Sequence, residues 1–197
     1  MSKFKVIDIA LIPIFAAILF AQEQILSFLP NIQLTVFLLI LFAKKLGFIK
    51  TSIIIIIHVL LDNLFMGSFN IIYVPFMAIG WLIIPLTITT IMKKVENPLL
   101  LAIASIFFAL IYSWIFIIPN IIILNVNFWD YLMADFIFEI ILAISSFIST
   151  LWLYKPCSKV INMVLKKDWS STPTSIFNFI SFSSWKKIII KYNYICC

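Results

Sequence analysis

The sequence contains no arginine, three glycines, one histidine and three cysteines in 197 residues, and charged side chains make up only 11% of it. Each shortage closes a class. With glycine confined to Gly47, Gly67 and Gly80, neither a Gly-rich phosphate loop nor a GxxxG helix seam can be written. The lone histidine, His58, has no second His or Cys at ligand spacing and no HExxH around it, which argues against a metal site and a zinc protease. Cys157, Cys196 and Cys197 match no zinc or redox spacing. No GxSxG and no paired-glutamate signature of membrane prenyl proteases occurs. The chain is therefore read as a non-enzyme without cofactors and without its own ATP-binding machinery.

What is abundant is apolar surface. Hydrophobic residues form 64% of the chain and mean hydropathy is +1.18, far more than a water-soluble core could hide. Apolar stretches at about 6–26, 32–46, 51–66, 71–91, 99–118 and 131–153 are separated by short polar or prolyl segments. The expectation is an all-α integral membrane protein of six transmembrane helices. The second and third stretches run only about 15 or 16 residues, short of the roughly 20 a bilayer core needs. Pro13, Pro75 and Pro85 predict kinks, Asn97 with Pro98 predicts a helix start, and Pro119 and Pro156 read as helix stops. Residues 1–167 form the expected membrane domain, and 168–197 a cytoplasmic tail, disordered or lying on the surface. Lys3, Lys5 and the apolar run behind them resemble a signal peptide, but Leu19 is a poor residue two before a cut at Ala21, so retention of the first helix is expected.

The lysines alternate with the helices. Lys3, Lys5, Lys44, Lys45, Lys50, Lys93, Lys94, Lys155, Lys159, Lys166 and Lys167 fall before the first helix and after the second, fourth and sixth, and the other three connections carry none. The positive-inside bias puts both termini in the cytoplasm. The formal charge of +6 is spread over these helix ends rather than gathered in a tract, which excludes nucleic acid as a partner.

Polar residues within the helices gather toward the opposite, outer half: Glu23, Asn31, Gln33, His58, Asp62, Asn63, Asn70, Tyr73, Tyr112, Trp114, Asp135 and Glu139. An ionised group at mid-bilayer costs at least about 2.5 kcal/mol, so these residues need partners or water. His58 with Asp62, and Asp135 with Glu139, are spaced i, i+4 on one helix face. Either pair alone reads equally as a self-satisfied contact between helices, and a tryptophan such as Trp114 as an interfacial belt residue. Their common depth points to one outer cavity.

Ala17 and Ala21 form an AxxxA, and Phe28-Leu29-Pro30-Asn31-Ile32-Gln33-Leu34 leads into the second helix. This wording resembles the segment that opens helix 2 in uncharacterised substrate-binding S components of energy-coupling factor (ECF) transporters, and Asp62-Asn63 before Gly67 and Tyr73 fits the same layout. The resemblance covers about residues 6–167. It implies a protein that captures a vitamin or related nutrient in an outward cavity and associates with a membrane T component and two ATPase subunits. It also implies that Ala17 and Ala21 meet that partner; by themselves they read as well as contact within the chain. The metal-binding S components resemble one another in an N-terminal Met-x-His, which is missing from Met1-Ser2-Lys3.

The competing expectation is a small membrane enzyme or stand-alone proton-coupled carrier using His58 and Asp62, against which stands an inner half read as purely apolar. A third is a structural membrane subunit. The acids Glu23, Asp62, Asp135 and Glu139 without an intramembrane lysine favour a neutral or cationic ligand, and rim aromatics suit a planar ring.

Overall fold

A computed structural model describes residues 6–29, 31–65 and 71–166. The expected tail, together with Pro30, Gly67 and Asn70, lies outside the described residues. Every described element is a helix: α1 (Val6–Leu26), α2 (Thr35–Leu46), α3 (Phe48–Phe65), α4 (Tyr73–Thr90), α5 (Pro98–Leu124) and α6 (Phe128–Lys166). By its internal contacts the chain divides into residues 1–162 and 163–197, and the described part of the second unit is the last turn of α6.

Five of the six helices are long and apolar enough to cross a membrane; α2 is not among them. Large apolar side chains stand outward all along these five, among them Ile9, Ile56, Ile79, Phe107 and Trp152. Such a coat is untenable in water and natural in lipid, so the chain is membrane-embedded. Helix α2 has twelve residues, about 18 Å of rise against a hydrocarbon core of about 30 Å. Nine of the twelve are buried, because α2 is the axis around which α1, α3, α4 and α5 pack. A helix apolar on all sides and covered on all sides is a core helix. Around it α1 lies on α3, α3 on α4 and α4 on α5, while α6 keeps its backbone further off and reaches the others through side chains such as Glu139 and Ser145.

The prolines divide in a way their spacing did not predict. Pro75 falls in the first turn of α4, where no helical hydrogen bond is lost. Pro119 and Pro156 do not stop their helices; α5 continues to Leu124 and α6 to Lys166. Without a proline N–H the carbonyls four residues earlier, on Ile115 and Trp152, lack their usual donors. At Pro119, in an apolar run, breaking the helix would orphan still more backbone groups, so the helical path persists there. The start of α5 is as its residues predict, with the Asn97 side chain accepting from the Leu99 N–H at 2.9 Å and Pro98 in the first turn.

At the lysine-bearing end, Lys44 of α2 closes the turn after α4. Its Nζ donates to the carbonyls of Met92 (2.6 Å), Lys93 (3.3 Å) and Val95. A cation among free carbonyls near a helix C-terminus answers both the missing donors and the helix dipole. Lys44→Met keeps the apolar stem and removes the charge, and should destabilise the protein by about 1.5 kcal/mol, the value of one charge-assisted hydrogen bond. Thermal unfolding in detergent reads this; an unchanged midpoint would mean that water replaces the ammonium at no cost.

Candidate functional site

Two polar groups, rather than one, occupy the bundle. The first joins the end of α1, the start of α2 and the middle of α3. Thr35, fully buried at the first position of α2, accepts from Gln22 Nε2 at 2.6 Å and donates to Glu23 Oε1 at 2.5 Å. A hydroxyl has one hydrogen, so Gln33 Oε1, 3.3 Å from the same oxygen, is a secondary acceptor. Gln22 Oε1 in turn accepts from the Leu34 N–H at 2.9 Å, which fastens the α1–α2 connection to the end of α1. The other carboxylate oxygen of Glu23, Oε2, lies 3.4 Å from His58 Nε2. That is ion-pair range but off the line of a hydrogen bond, and neither ring nitrogen of the fully buried His58 has a hydrogen-bond partner. Asp62, half-buried one turn along α3, stands within electrostatic reach of both Glu23 and His58, as Tyr112 does of Glu23 and Asp62.

The second group joins α4, α5 and α6. Ser113 Oγ lies 3.1 Å from Asp135 Oδ2 and 3.0 Å from Glu139 Oε1, and its single hydrogen serves one carboxylate at a time. Nearby, Tyr73 donates to Asn120 Oδ1 at 2.5 Å and Asn120 Nδ2 donates to the Tyr131 hydroxyl at 2.6 Å. Tyr112 and Ser113 are consecutive on α5 and so point about 100° apart, one toward each group. Among the described residues no hydrogen bond joins the two groups.

The aromatic residues are engaged with one another. Tyr112 stacks on Trp81 with ring centroids 3.7 Å apart, Phe116 follows at 4.9 Å, and Tyr73 stacks on Phe116 at 5.9 Å. Gly80 makes room for this column, since a Cβ there would stand 2.7 Å from Cδ2 of Tyr112. Tyr112, expected to line the site, has Trp81 stacked on it and Phe116 tilted against it at 40°. Trp114 is 55% exposed and joins neither polar group. Asn63 is tied into its own helix through Val59 O at 2.8 Å, with Met77 Sδ at 3.4 Å. Asn31 adopts a left-handed backbone at φ 57, and its carbonyl accepts from Ser145 Oγ at 3.4 Å. Asn70 lies outside the described residues.

The lysine-bearing half is less apolar than its sequence implies. Asp8 on α1 pairs with Lys50 on α3 at 2.7 Å with both side chains nearly covered, and Ser105, Ser146, Ser149 and Thr150 are buried. Sequence reasoning passed over Asp8, and it passed over Ser113, Asn120 and Tyr131 as site residues; an acid or amide inside an apolar run was the available signal. Ala17 and Ala21 are exposed, whereas the neighbouring Ala16 is fully buried. Among the described residues both alanines stay uncovered, on the face of α1 turned away from the core. A separate groove of about 480 Å³ opens between Ile32 and Leu34 and the Ile144, Ile148 and Trp152 face of α6, lined almost wholly by apolar atoms. Among the described residues no three His, Cys, Asp or Glu side chains converge to hold a metal ion.

No family model, no curated protein and no solved structure matches the chain.

Proposed function

We propose that the chain is the substrate-capture subunit of an ECF-type importer in a bacterial-type cell membrane. In this reading it binds a vitamin or related small nutrient, and ATP hydrolysis takes place in separate partner subunits that join it through a membrane T component. The observation that carries the reading is the His58, Glu23 and Asp62 group. A buried imidazole with both nitrogens unpartnered, beside two acids, is costly in a structural role and is what a ligand's polar atoms would complete. The fastening of the α1–α2 connection by Gln22 and Thr35 beside this group supports a capped site, and the exposed Ala17 and Ala21 support a close-packed partner helix. Six helices with α2 enclosed are compatible with such a cavity.

The same group also supports a proton-coupled carrier, because a histidine and carboxylates are in reach of one another. The two readings part on one experiment. Native mass spectrometry of the purified solitary chain should retain a small molecule, and uptake of that molecule by proteoliposomes should require added ATPase and T subunits. A solitary chain that transports against a gradient when only a pH difference is supplied would establish the carrier instead, and protein that never carries a small molecule would end the capture reading.

A further inference from the structure

We infer that the ligand is a small organic cation whose N–H donors bridge Glu23 Oε2 and Asp62, with His58 completing the contact; this rests on the capture reading above. The argument begins with what is already taken. Oε1 of Glu23 is occupied by Thr35, so Oε2 faces the imidazole with no hydrogen bond to it. Asp62 shares the His58 face of α3, and no described side chain donates to its carboxylate. On α2 and α3 the lysines stand at the ends remote from Thr35 and Asp62, at Lys44, Lys45 and Lys50. Two acids thus face one imidazole with no lysine to answer them.

The chemistry that fits is narrow. A metal ion needs three ligands in convergence, and among the described residues no three His, Cys, Asp or Glu side chains, His58, Glu23 and Asp62 included, are so placed. An anion would meet two carboxylates in a medium where like charges repel strongly. A neutral aromatic ring would have to stack, and Tyr112, within electrostatic reach of Glu23 and Asp62, already has Trp81 stacked on it and Phe116 tilted against it. Asp135 and Glu139 do not compete for the same cation, because Ser113 holds them on the other side of α5. An amidinium, guanidinium or protonated amino-heterocycle supplies several N–H donors in one plane together with a single positive charge, which suits two carboxylates set apart.

The test uses the full chain in lipid nanodiscs and three isosteric probes by calorimetry: benzamidinium, neutral benzamide and anionic benzoate, with acetamidinium as a smaller cation. Benzamidinium should bind at least tenfold tighter than benzamide, and benzoate should not bind. Glu23→Gln, which keeps an acceptor for Thr35, and Asp62→Asn should each weaken benzamidinium at least tenfold; Asp62→Asn reads the result even if the Glu23 variant, tied to Thr35, folds poorly. Equal binding of benzamide, preferential binding of benzoate, or no binding of either amidinium would overturn the inference. A small molecule retained in native mass spectra alongside those negative results would leave the capture reading standing, so the two failures are distinguishable.

Discussion

On the capture reading proposed above, replacing Ala17 and Ala21 together by tryptophan should abolish uptake by the assembled importer while the solitary chain still folds and holds its ligand. Both alanines lie on the uncovered face of α1, together with Pro13, Ile14 and Ile18, whereas Leu11, Ile12, Phe15, Ala16 and Leu19 make the buried face. In lipid there is no hydrophobic gain from bringing helices together, so association depends on close backbone approach past small side chains. Two indoles in that seam separate the helices, and each 1.4 kcal/mol lost is about a tenfold loss of affinity. The check is a paired measurement: uptake in proteoliposomes and co-purification with the T component on one side, thermal stability and ligand retention of the chain alone on the other. Uptake at the parent's rate would place the partner elsewhere, and loss of stability would mean that α1 uses this face within its own fold.

Thr35→Val should be the most damaging single conservative change to stability. Valine matches the volume but not the hydroxyl, which is the node between Gln22 Nε2 and Glu23 Oε1. Both partners then remain in a largely covered place with one bond each gone. At about 1–3 kcal/mol for each unsatisfied group the expected cost is about 3 kcal/mol. The α1–α2 connection is also expected to loosen, because Gln22 loses one of the two contacts that hold its amide in line for the Leu34 N–H. Thr35→Ser should restore most of the loss, since the hydroxyl returns without the methyl. Thermal unfolding of the three proteins in one detergent decides it; a Val variant within about 0.5 kcal/mol of the parent would mean water takes over the node.

How much of this was legible in the sequence follows from what helical spacing encodes. Run length and the Asn97-Pro98 pair located α1, α3, α4 and the start of α5 to within a few residues. The i, i+4 spacing rightly put His58 and Asp62 on one face. Azimuth was not legible: a residue's distance from a helix end says how high it sits and nothing about which neighbour it faces. Tyr112 and Ser113 sit at the same height and look into different polar groups, so residues of common depth separate into two sites. The pairing of Glu23 and Thr35 with His58 is a contact between three helices that no local spacing records. Pro119 misled for another reason: its effect depends on the medium around the helix, and the apolar surroundings kept α5 intact.

The enclosure of α2 has a consequence for how the chain is made. A twelve-residue segment is too short to be left in a bilayer on its own apolar length, and nine of its residues find their solvent only in α1, α3, α4 and α5. During synthesis α2 emerges after α1, with α3, α4 and α5 still unmade. Its final position therefore cannot be decided as it is produced; it must be held until the later helices arrive and close around it, which makes the order of helix arrival part of what this sequence has to encode.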